Sequence, residues 1–189
     1  MTQITSKISL SNPKSVKVND SGLSRAYFCL TDHASVSKEV VNDLKKISAD
    51  LGHKSVRICL HPGVDSRLQD MVVLIPKSQY FAPHKHLDRS ESYHLIEGEA
   101  ALFMFDEAGA VLECTVLNSS GTFLYRTRGD QFHALVPLSD QLIYHEARQG
   151  PFVPSGDSIF PDWAPHRDNS DQGLLFLKKL VWEHLKIKV

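Results

Sequence analysis

Two histidines and a glutamate stand close together in a pattern that is typical of a metal site on β-strands. His84 and His86 are separated by one residue, so on a strand both side chains point to the same face. A four-residue turn (87–90) then reverses the chain and brings Glu91 to the start of the next strand, as a cross-strand neighbour of the histidines. Imidazoles and one carboxylate that converge from adjacent strands leave coordination positions open on a metal ion. His133 follows one strand pair downstream.

The alternative is a pair of solvated surface histidines beside a hairpin turn. The surrounding sequence favours the metal site, because Pro83 precedes the histidines, alternating residues follow them and Gly98 marks the next turn. The ligand types do not select one ion, since Fe, Mn, Ni, Co and Zn all accept them. The expected cofactor is therefore a divalent transition metal of unassigned identity.

The elements that must position these residues are short strands. From residue 54 onward, alternating or apolar segments recur at a spacing of roughly ten residues, which is typical of sandwiches and closed barrels. The predicted strands cover residues 55–61, 70–76, 80–86, 91–96, 99–106, 110–117, 122–126, 132–138 and 141–148.

Two helices are predicted outside the strands. An amphipathic helix begins with Ser35 as its N-cap and runs to about Leu51, with Gly52 at its C-terminus. Residues 174–185 have helical spacing of apolar residues, although a strand over 174–180 is the alternative. We therefore expect a flexible or edge-strand extension (1–25), a helical segment packed on the barrel (26–53), the barrel (54–148), and a C-terminal loop and helix packed on it (149–189).

The run His84-x-His86-x4-Glu91-x6-Gly98 resembles the first sequence motif of the cupins. The resemblance implies a mainly β fold, a cupin jelly-roll β-barrel with an N-terminal helix and a short C-terminal helix. It also implies that the two histidines and the glutamate bind the metal.

Residues 121–133 resemble a degenerate second cupin motif, the part that supplies the last metal ligand. Thr127 replaces the usual proline, and three residues instead of two separate Gly129 from His133. The resemblance implies that His133 is the fourth ligand of a centre with three histidines and one glutamate.

More narrowly, the chain is similar to the WbuC family of cupin-fold metalloproteins over roughly residues 28–166. The family's genes tend to lie among those for bacterial O-antigen polysaccharide synthesis, which favours a sugar-derived substrate. The matching pieces are Arg57-x-Cys59-x-His61, Asp70-Met71, Pro83 to His86, Glu91 to Tyr93, Phe105-Asp106 before Gly109, Gly150 to Phe152, and Trp163 to Pro165.

A predicted substrate pocket is formed from residues near the metal site. Arg57, Cys59 and His61 share one face of their strand, which either lines a wet cavity or faces solvent. In the first case Arg57 holds an anionic substrate group by bidentate hydrogen bonds and is a candidate catalytic residue. The alternative for Cys59 is a small buried hydrophobe.

Three aromatic residues complete the predicted pocket. Tyr93 has the strand parity of Glu91 and is a second candidate catalytic residue; the alternative is a buried tyrosine bonded to a backbone carbonyl. Phe152 and Trp163 bound a long loop and either close the pocket mouth or plug the barrel end or a subunit contact.

Composition excludes several classes of protein. The formal charge is −1 with no dense basic patch, so no nucleic-acid partner is expected. No apolar run approaches the ~20 residues of a membrane span. Three unpaired cysteines and a polar N-terminus predict a cytoplasmic protein. The expected partners are a small-molecule ligand and a second copy of the chain in a homodimer.

Three functions remain open at this stage. The first is a metal-dependent isomerase, epimerase or lyase acting on a sugar-derived or hydroxy/keto acid. The second is a non-heme Fe(II) dioxygenase, which the same ligands support. The third is a non-catalytic, metal-dependent ligand-binding module, and a pocket without titratable groups other than the metal ligands would favour it.

Overall fold

The chain folds into two facing β-sheets flanked by two helices. The computed structural model describes residues 8–153 and 156–189; the first seven residues of the predicted N-terminal extension lie outside these ranges. The strands are β1 (Val16–Asn19), β2 (Arg25–Cys29), β3 (Val56–Cys59), β4 (Leu68–Pro76), β5 (Glu91–Glu97), β6 (Ala100–Phe105), β7 (Val111–Leu117), β8 (Leu124–Thr127), β9 (Phe132–Pro137) and β10 (Gln141–Gln149).

Seven strands form one sheet in the order β1-β2-β3-β4-β10-β5-β8, and three form the other in the order β7-β6-β9. Neighbouring strands are antiparallel except β2 and β3, which are parallel. The predicted fold class is confirmed: the protein is mainly β, it has one helix before and one after the main run of strands, and the two sheets are compatible with a jelly roll. The sheets do not close into a hydrogen-bonded barrel. Among the described residues, isolated bridges such as the one between Leu117 and Thr122 stand where ladders would be needed.

The first helix, α1 (Lys38–Asp50), covers the outer face of the large sheet. Its N-cap is Ser37, not Ser35 as predicted, because the chain is still extended at Ser37, with ψ of 173°. The helix ends at Leu51, and Gly52 follows with φ of +71°, a left-handed conformation that glycine adopts without strain. Its buried side chains pack against alternate residues of the strands beneath, in a cluster that includes Val40, Val41, Leu44, Val56, Ile58, Val72, Leu74 and Ile143.

The second helix, α2 (Ser170–Leu185), packs on the outer face of the small sheet. It confirms the helical alternative for residues 174–185 and begins four residues earlier, where the Asn169 side chain accepts a hydrogen bond from the Gln172 backbone N–H at 3.3 Å. Gly173 lets the helix lie on the Tyr80 ring, since a Cβ there would lie 2.2 Å from Tyr80 Cδ1. Neither helix in the described part of the chain is long and apolar enough to cross a membrane.

The N-terminal part of the chain forms two strands before α1. β1 forms one edge of the large sheet, and β2 lies between β1 and β3. Another cluster of buried side chains fills the space between the two sheets and includes Met71, Val73, Ile75, Leu95, Leu102 and Leu142. The predicted division of the chain at residues 25, 53 and 148 stays a prediction.

Candidate metal centre

The structure brings the four predicted ligands together at one end of the space between the sheets. One potential ligand atom from each of His84, His86, Glu91 and His133 lies within 4.8 Å of the others. The ring centroid of His84 lies 4.9 Å from that of His86 and 4.7 Å from that of His133. His86, Glu91 and His133 are at most 3% exposed. The described residues therefore contain a compact donor set, in which three members are buried and His84 is half-buried.

The ligands come from both sheets, not from adjacent strands of one sheet as predicted. His84 and His133 exchange two backbone hydrogen bonds, of 3.1 and 2.9 Å, which places His84 at the edge of the small sheet. Glu91 starts β5 of the large sheet, where its neighbours are Arg148 and Thr127. The turn over residues 87–90 therefore carries the chain across from one sheet to the other. The predicted strand over residues 80–86 is reduced to isolated bridges at His84 and Lys85 for the same reason.

A second turn, at residues 128–131, holds the first one in place. The Asp130 backbone N–H donates to the His86 carbonyl at 2.8 Å, and the Asp88 N–H donates to Asp130 Oδ1 at 3.1 Å. Gly129 allows this approach, because a Cβ there would lie 2.6 Å from the Arg89 backbone nitrogen. The altered spacing of the second motif thus still delivers the next strand, β9, with His133 facing the other donors.

Thr127, which stands where the cupin motif usually has proline, contacts the backbone of Glu91. Its hydroxyl accepts from the Glu91 N–H at 3.3 Å and lies 3.4 Å from the Glu91 carbonyl, to which it can donate. Proline has neither a hydroxyl nor an N–H. The substitution therefore adds a contact that fixes the start of β5, where the carboxylate ligand stands.

All three histidines use Nδ1 for a backbone carbonyl. His84 Nδ1 lies 3.0 Å from the Ala82 oxygen, His133 Nδ1 lies 3.0 Å from the Gln131 oxygen, and His86 Nδ1 contacts the Asp157 oxygen. A carbonyl only accepts, so each Nδ1 carries the hydrogen and each neutral imidazole presents the lone pair of Nε2. Such outer contacts orient histidine ligands in metal sites.

The carboxylate of Glu91 faces two of these nitrogens. His86 Nε2 lies 3.0 Å from Glu91 Oε1, and His133 Nε2 lies 3.2 Å from Oε2 and has no hydrogen-bond partner. Two acceptors facing each other in a buried site repel unless positive charge lies between them. A divalent cation fits that position, and the imidazole and carboxylate donors are those that transition metals accept.

The pKa values of the metal-free groups reflect the same geometry. Burial raises the pKa of Glu91, but the interactions with His133 and His86 outweigh it and hold that pKa well below the ordinary value. Burial opposes protonation of His86, yet its contact with Glu91 raises the pKa of this histidine. For His84, burial together with the positive charge of His133 lowers the pKa to about 3. Without a metal, a proton on His86 stabilises the Glu91 carboxylate.

A cavity of about 300 Å³ opens beside the four donors. Its wall changes from aromatic to charged along the large sheet, where β10 contributes Tyr144, Glu146 and Arg148 in that order. Tyr93 lies next to Glu146 in register, and its hydroxyl donates to Glu91 Oε2 at 2.5 Å. Burial, followed by the negative charge of Glu91, raises the pKa of Tyr93 well above its ordinary value. Tyr93 therefore stays a hydrogen-bond donor beside the candidate metal position.

Sequence reasoning missed the charged residues that surround Glu91. Asp157 accepts from Arg148 Nη1 at 2.6 Å and from Arg89 Nη1 at 2.7 Å, and its backbone oxygen is the partner of His86. Arg148 Nη1 also lies 3.6 Å from Glu91 Oε1. The signal on β10 was present, since Glu146 and Arg148 share one strand parity. Asp157 lies in an irregular loop where no periodic pattern points to it.

The remaining predicted pocket residues divide into two groups. Arg57, Tyr93 and Phe152 line the cavity, and Phe152 also lies under the Arg148 guanidinium, 5.3 Å from it. Cys59, His61 and Trp163 are not among the residues that line it. Cys59 packs in the core between the sheets, which corresponds to the alternative of a small hydrophobe.

His61 and Trp163 make contacts that lie away from the cavity. His61 accepts from the Asp70 backbone N–H at 3.1 Å and contacts the edge of Phe28, because strand β3 has ended at Cys59. Trp163 packs against Phe105, Phe132 and Phe176 on the α2 side of the small sheet. The predicted role of these residues in the pocket is not supported by their positions.

Comparison with known proteins gives a partial family match and several structural neighbours. A family model described as a domain of unknown function (DUF6016) matches residues 36–117. No curated protein matches the chain.

Three solved structures illustrate the neighbours, which are cupin-fold proteins. The capsular polysaccharide assembling protein CapF from Staphylococcus aureus is 14% identical with a TM-score of 0.48, covering 57% of this chain and 30% of its own. The Lactobacillus farciminis oxalate decarboxylase formate complex is 18% identical with a TM-score of 0.44, covering 71% and 36%. The Geodermatophilus obscurus L-ribose isomerase is 16% identical with a TM-score of 0.42, covering 57% and 61%. The chain thus spans about a third of the length of the first two.

Proposed function

We propose that the protein is a metal-binding cupin that acts on a small sugar-derived or hydroxy/keto acid at a centre of three histidines and one glutamate. The observation that supports this proposal most strongly is the set of Nε2 lone pairs around the Glu91 carboxylate, of which the one on His133 has no hydrogen-bond partner. A metal held there would polarise a carbonyl or acidify a hydroxyl of the ligand.

The residues of the chain itself supply orientation and proton handling. Tyr93 holds its phenolic hydrogen on Glu91 and fixes the carboxylate in one orientation. The Asp157 carbonyl fixes the ring of His86, while its carboxylate secures Arg148 and Arg89. The cavity is therefore preorganised by contacts that exist before any ligand arrives.

Catalysis is a better account than a purely binding role because the cavity contains titratable groups besides the metal ligands. Glu146 lines the cavity, and burial together with the charge of Glu91 raises its pKa. A carboxyl group with a raised pKa beside a metal position is suited to general acid–base chemistry near neutral pH. Isomerisation, epimerisation or lyase chemistry requires such proton transfer. The WbuC resemblance, the link to O-antigen synthesis, the homodimer and the cytoplasmic location stay predictions from the sequence.

Elemental analysis tests the metal proposal directly. Protein purified without a chelator and without a metal-affinity tag is expected to carry close to one divalent transition metal per chain. Oxygen uptake after loading with Fe(II) then separates a dioxygenase from the proposed chemistry. Metal at background level in protein that remains folded would contradict the proposal.

A further inference from the structure

The groups around the cavity are balanced in charge before a metal binds. Three arginines (Arg57, Arg148 and Arg167) and three acidic residues (Glu91, Glu146 and Asp157) line the cavity, and Arg148 lies 2.6 Å from Asp157. A divalent cation on the histidines would therefore add two uncompensated positive charges to a partly buried space. Buried charge is costly unless it is paired, so the complete site favours an anionic ligand.

Two of the arginines also present unused hydrogen-bond donors. Nε of Arg57 and Nε of Arg148 are buried and have no hydrogen-bond partner. Arg148 is only 9% exposed; its Nη1 donates to Asp157, whereas its Nε has no partner. Guanidinium donors match carboxylate and phosphate oxygens in geometry as well as in charge.

Glu146 makes this cavity different from a site that would bind any small anion. Its Oε1 lies 3.6 Å from Arg148 Nε, which is too long for a hydrogen bond, and it lines the cavity two residues from Arg148 on the same face of β10. A carboxylate in this place repels a bare anion but accepts a hydrogen bond from a ligand hydroxyl. The cavity of about 300 Å³ is at the lower end of the range for small-molecule sites.

We infer that the cavity recognises a small hydroxylated carboxylate, whose anionic group is bound by Arg57 and Arg148 and whose hydroxyl donates to Glu146. The inference rests on the proposed function and deepens it, because it names the residues that discriminate between ligands. Arg57 selects for the anionic group and Glu146 selects for the hydroxyl. A neutral polyol lacks the first feature and a simple fatty acid anion lacks the second.

Calorimetric titration of the metal-loaded protein with three four-carbon probes tests this inference. The probes are erythronate, which has both the charge and the hydroxyls, erythritol, which is neutral, and butyrate, which has no hydroxyl. Erythronate is expected to bind at least about tenfold more tightly than either of the other probes. Erythritol lacks the carboxylate that accepts from the arginines, and butyrate lacks the hydroxyl that donates to Glu146.

Substitutions then assign the discrimination to residues. Arg57→Met should weaken erythronate binding about tenfold and leave erythritol unchanged, while Arg57→Lys should restore part of the loss. Glu146→Met should remove the preference for erythronate over butyrate. Arg128→Met is the matched control, because Arg128 is exposed and is not among the residues that line this cavity.

Metal content measured on the same samples separates the two proposals. Loss of metal from the wild-type protein would contradict the proposed function itself. Metal-loaded protein that binds erythritol as tightly as erythronate, or that binds none of the probes at millimolar concentration, would overturn the ligand inference. An Arg57→Met variant that keeps full affinity for erythronate would overturn the role of that residue.

Discussion

The two faces of the large sheet are built from alternate residues of the same strands, yet they have opposite chemistry. Under α1, the outward residues of β3 and β4 are apolar, as in Val56, Ile58 and Leu74, which are not exposed at all. The inward residues of β10 instead change from Leu142 to Arg148 along the strand.

The comparison shows which part of the sheet is built for stability. The face under α1 buries mainly apolar side chains and gains free energy from them; Ser48 is buried there too, with its hydroxyl donating to the Lys54 carbonyl. The inward face buries Glu91, Glu146 and Arg148 at a cost in desolvation. Groups that destabilise a fold and are nevertheless arranged around one cavity indicate function.

Removal of one metal ligand should separate the two faces most clearly. His86→Ala is expected to reduce the bound metal to background while the sheets and helices remain, because the apolar face does not depend on the imidazole. Elemental analysis and circular dichroism measure the two effects. His94→Ala is the matched control, since His94 lies on the same β5 as Glu91 but on the opposite, exposed face. Unchanged metal content in His86→Ala would contradict the proposed ligand set.

A substitution that leaves a void on the apolar face should lower the stability without loss of metal. Leu44→Ala is expected to lower the free energy of unfolding by about 2–5 kcal/mol, because Leu44 is fully buried under α1. Metal content should stay at the wild-type level. Urea denaturation provides the measurement, and Leu175→Ala, at a position 68% exposed, serves as control with little expected change. A loss of metal in folded Leu44→Ala protein would show that the two faces are coupled.

His133 is expected to contribute less than His86. His133→Ala should weaken metal binding about tenfold to a hundredfold, because among the described residues His133 is held only by the nearby Gln131 carbonyl, whereas His86 is held by Asp157, which also binds Arg148 and Arg89. Competition with a chromophoric chelator measures the affinity. Equal losses in His133→Ala and His86→Ala would show that all donors are equally required.

Acid should destabilise the metal-free protein through His84. Its pKa in the folded state is about 3, below the ordinary 6.5, so the unfolded chain binds the proton first. The free energy of unfolding should therefore fall as the pH is lowered from about 6.5 to 3. Urea denaturation in the presence of a chelator should show a smaller fall for His84→Leu. Identical pH profiles for the two proteins would contradict burial of a neutral imidazole.

Most strands and three of the four candidate ligands could be predicted because their patterns are local, whereas His133 was predicted from the resemblance to the second cupin motif. Alternation along β3 to β10 and the spacing from His84 to Glu91 depend on neighbouring residues only. Whether the turn over 87–90 closes a hairpin or crosses between sheets depends on distant contacts, such as the bond from Asp130 to His86. Asp157 comes from an irregular loop and has no local signal. Strand parity predicted that Cys59 and His61 line the cavity, but neither does. Cys59 faces inward and packs in the core, and His61 lies beyond the end of the strand at Cys59.

Anomalous diffraction from crystals of metal-loaded protein tests the central claim most directly. We expect one strong anomalous peak between the two sheets, within about 2.0–2.3 Å of Nε2 of the three histidines and of one Glu91 oxygen. A metal bound elsewhere, or an empty donor set in crystals soaked with excess metal, would contradict it.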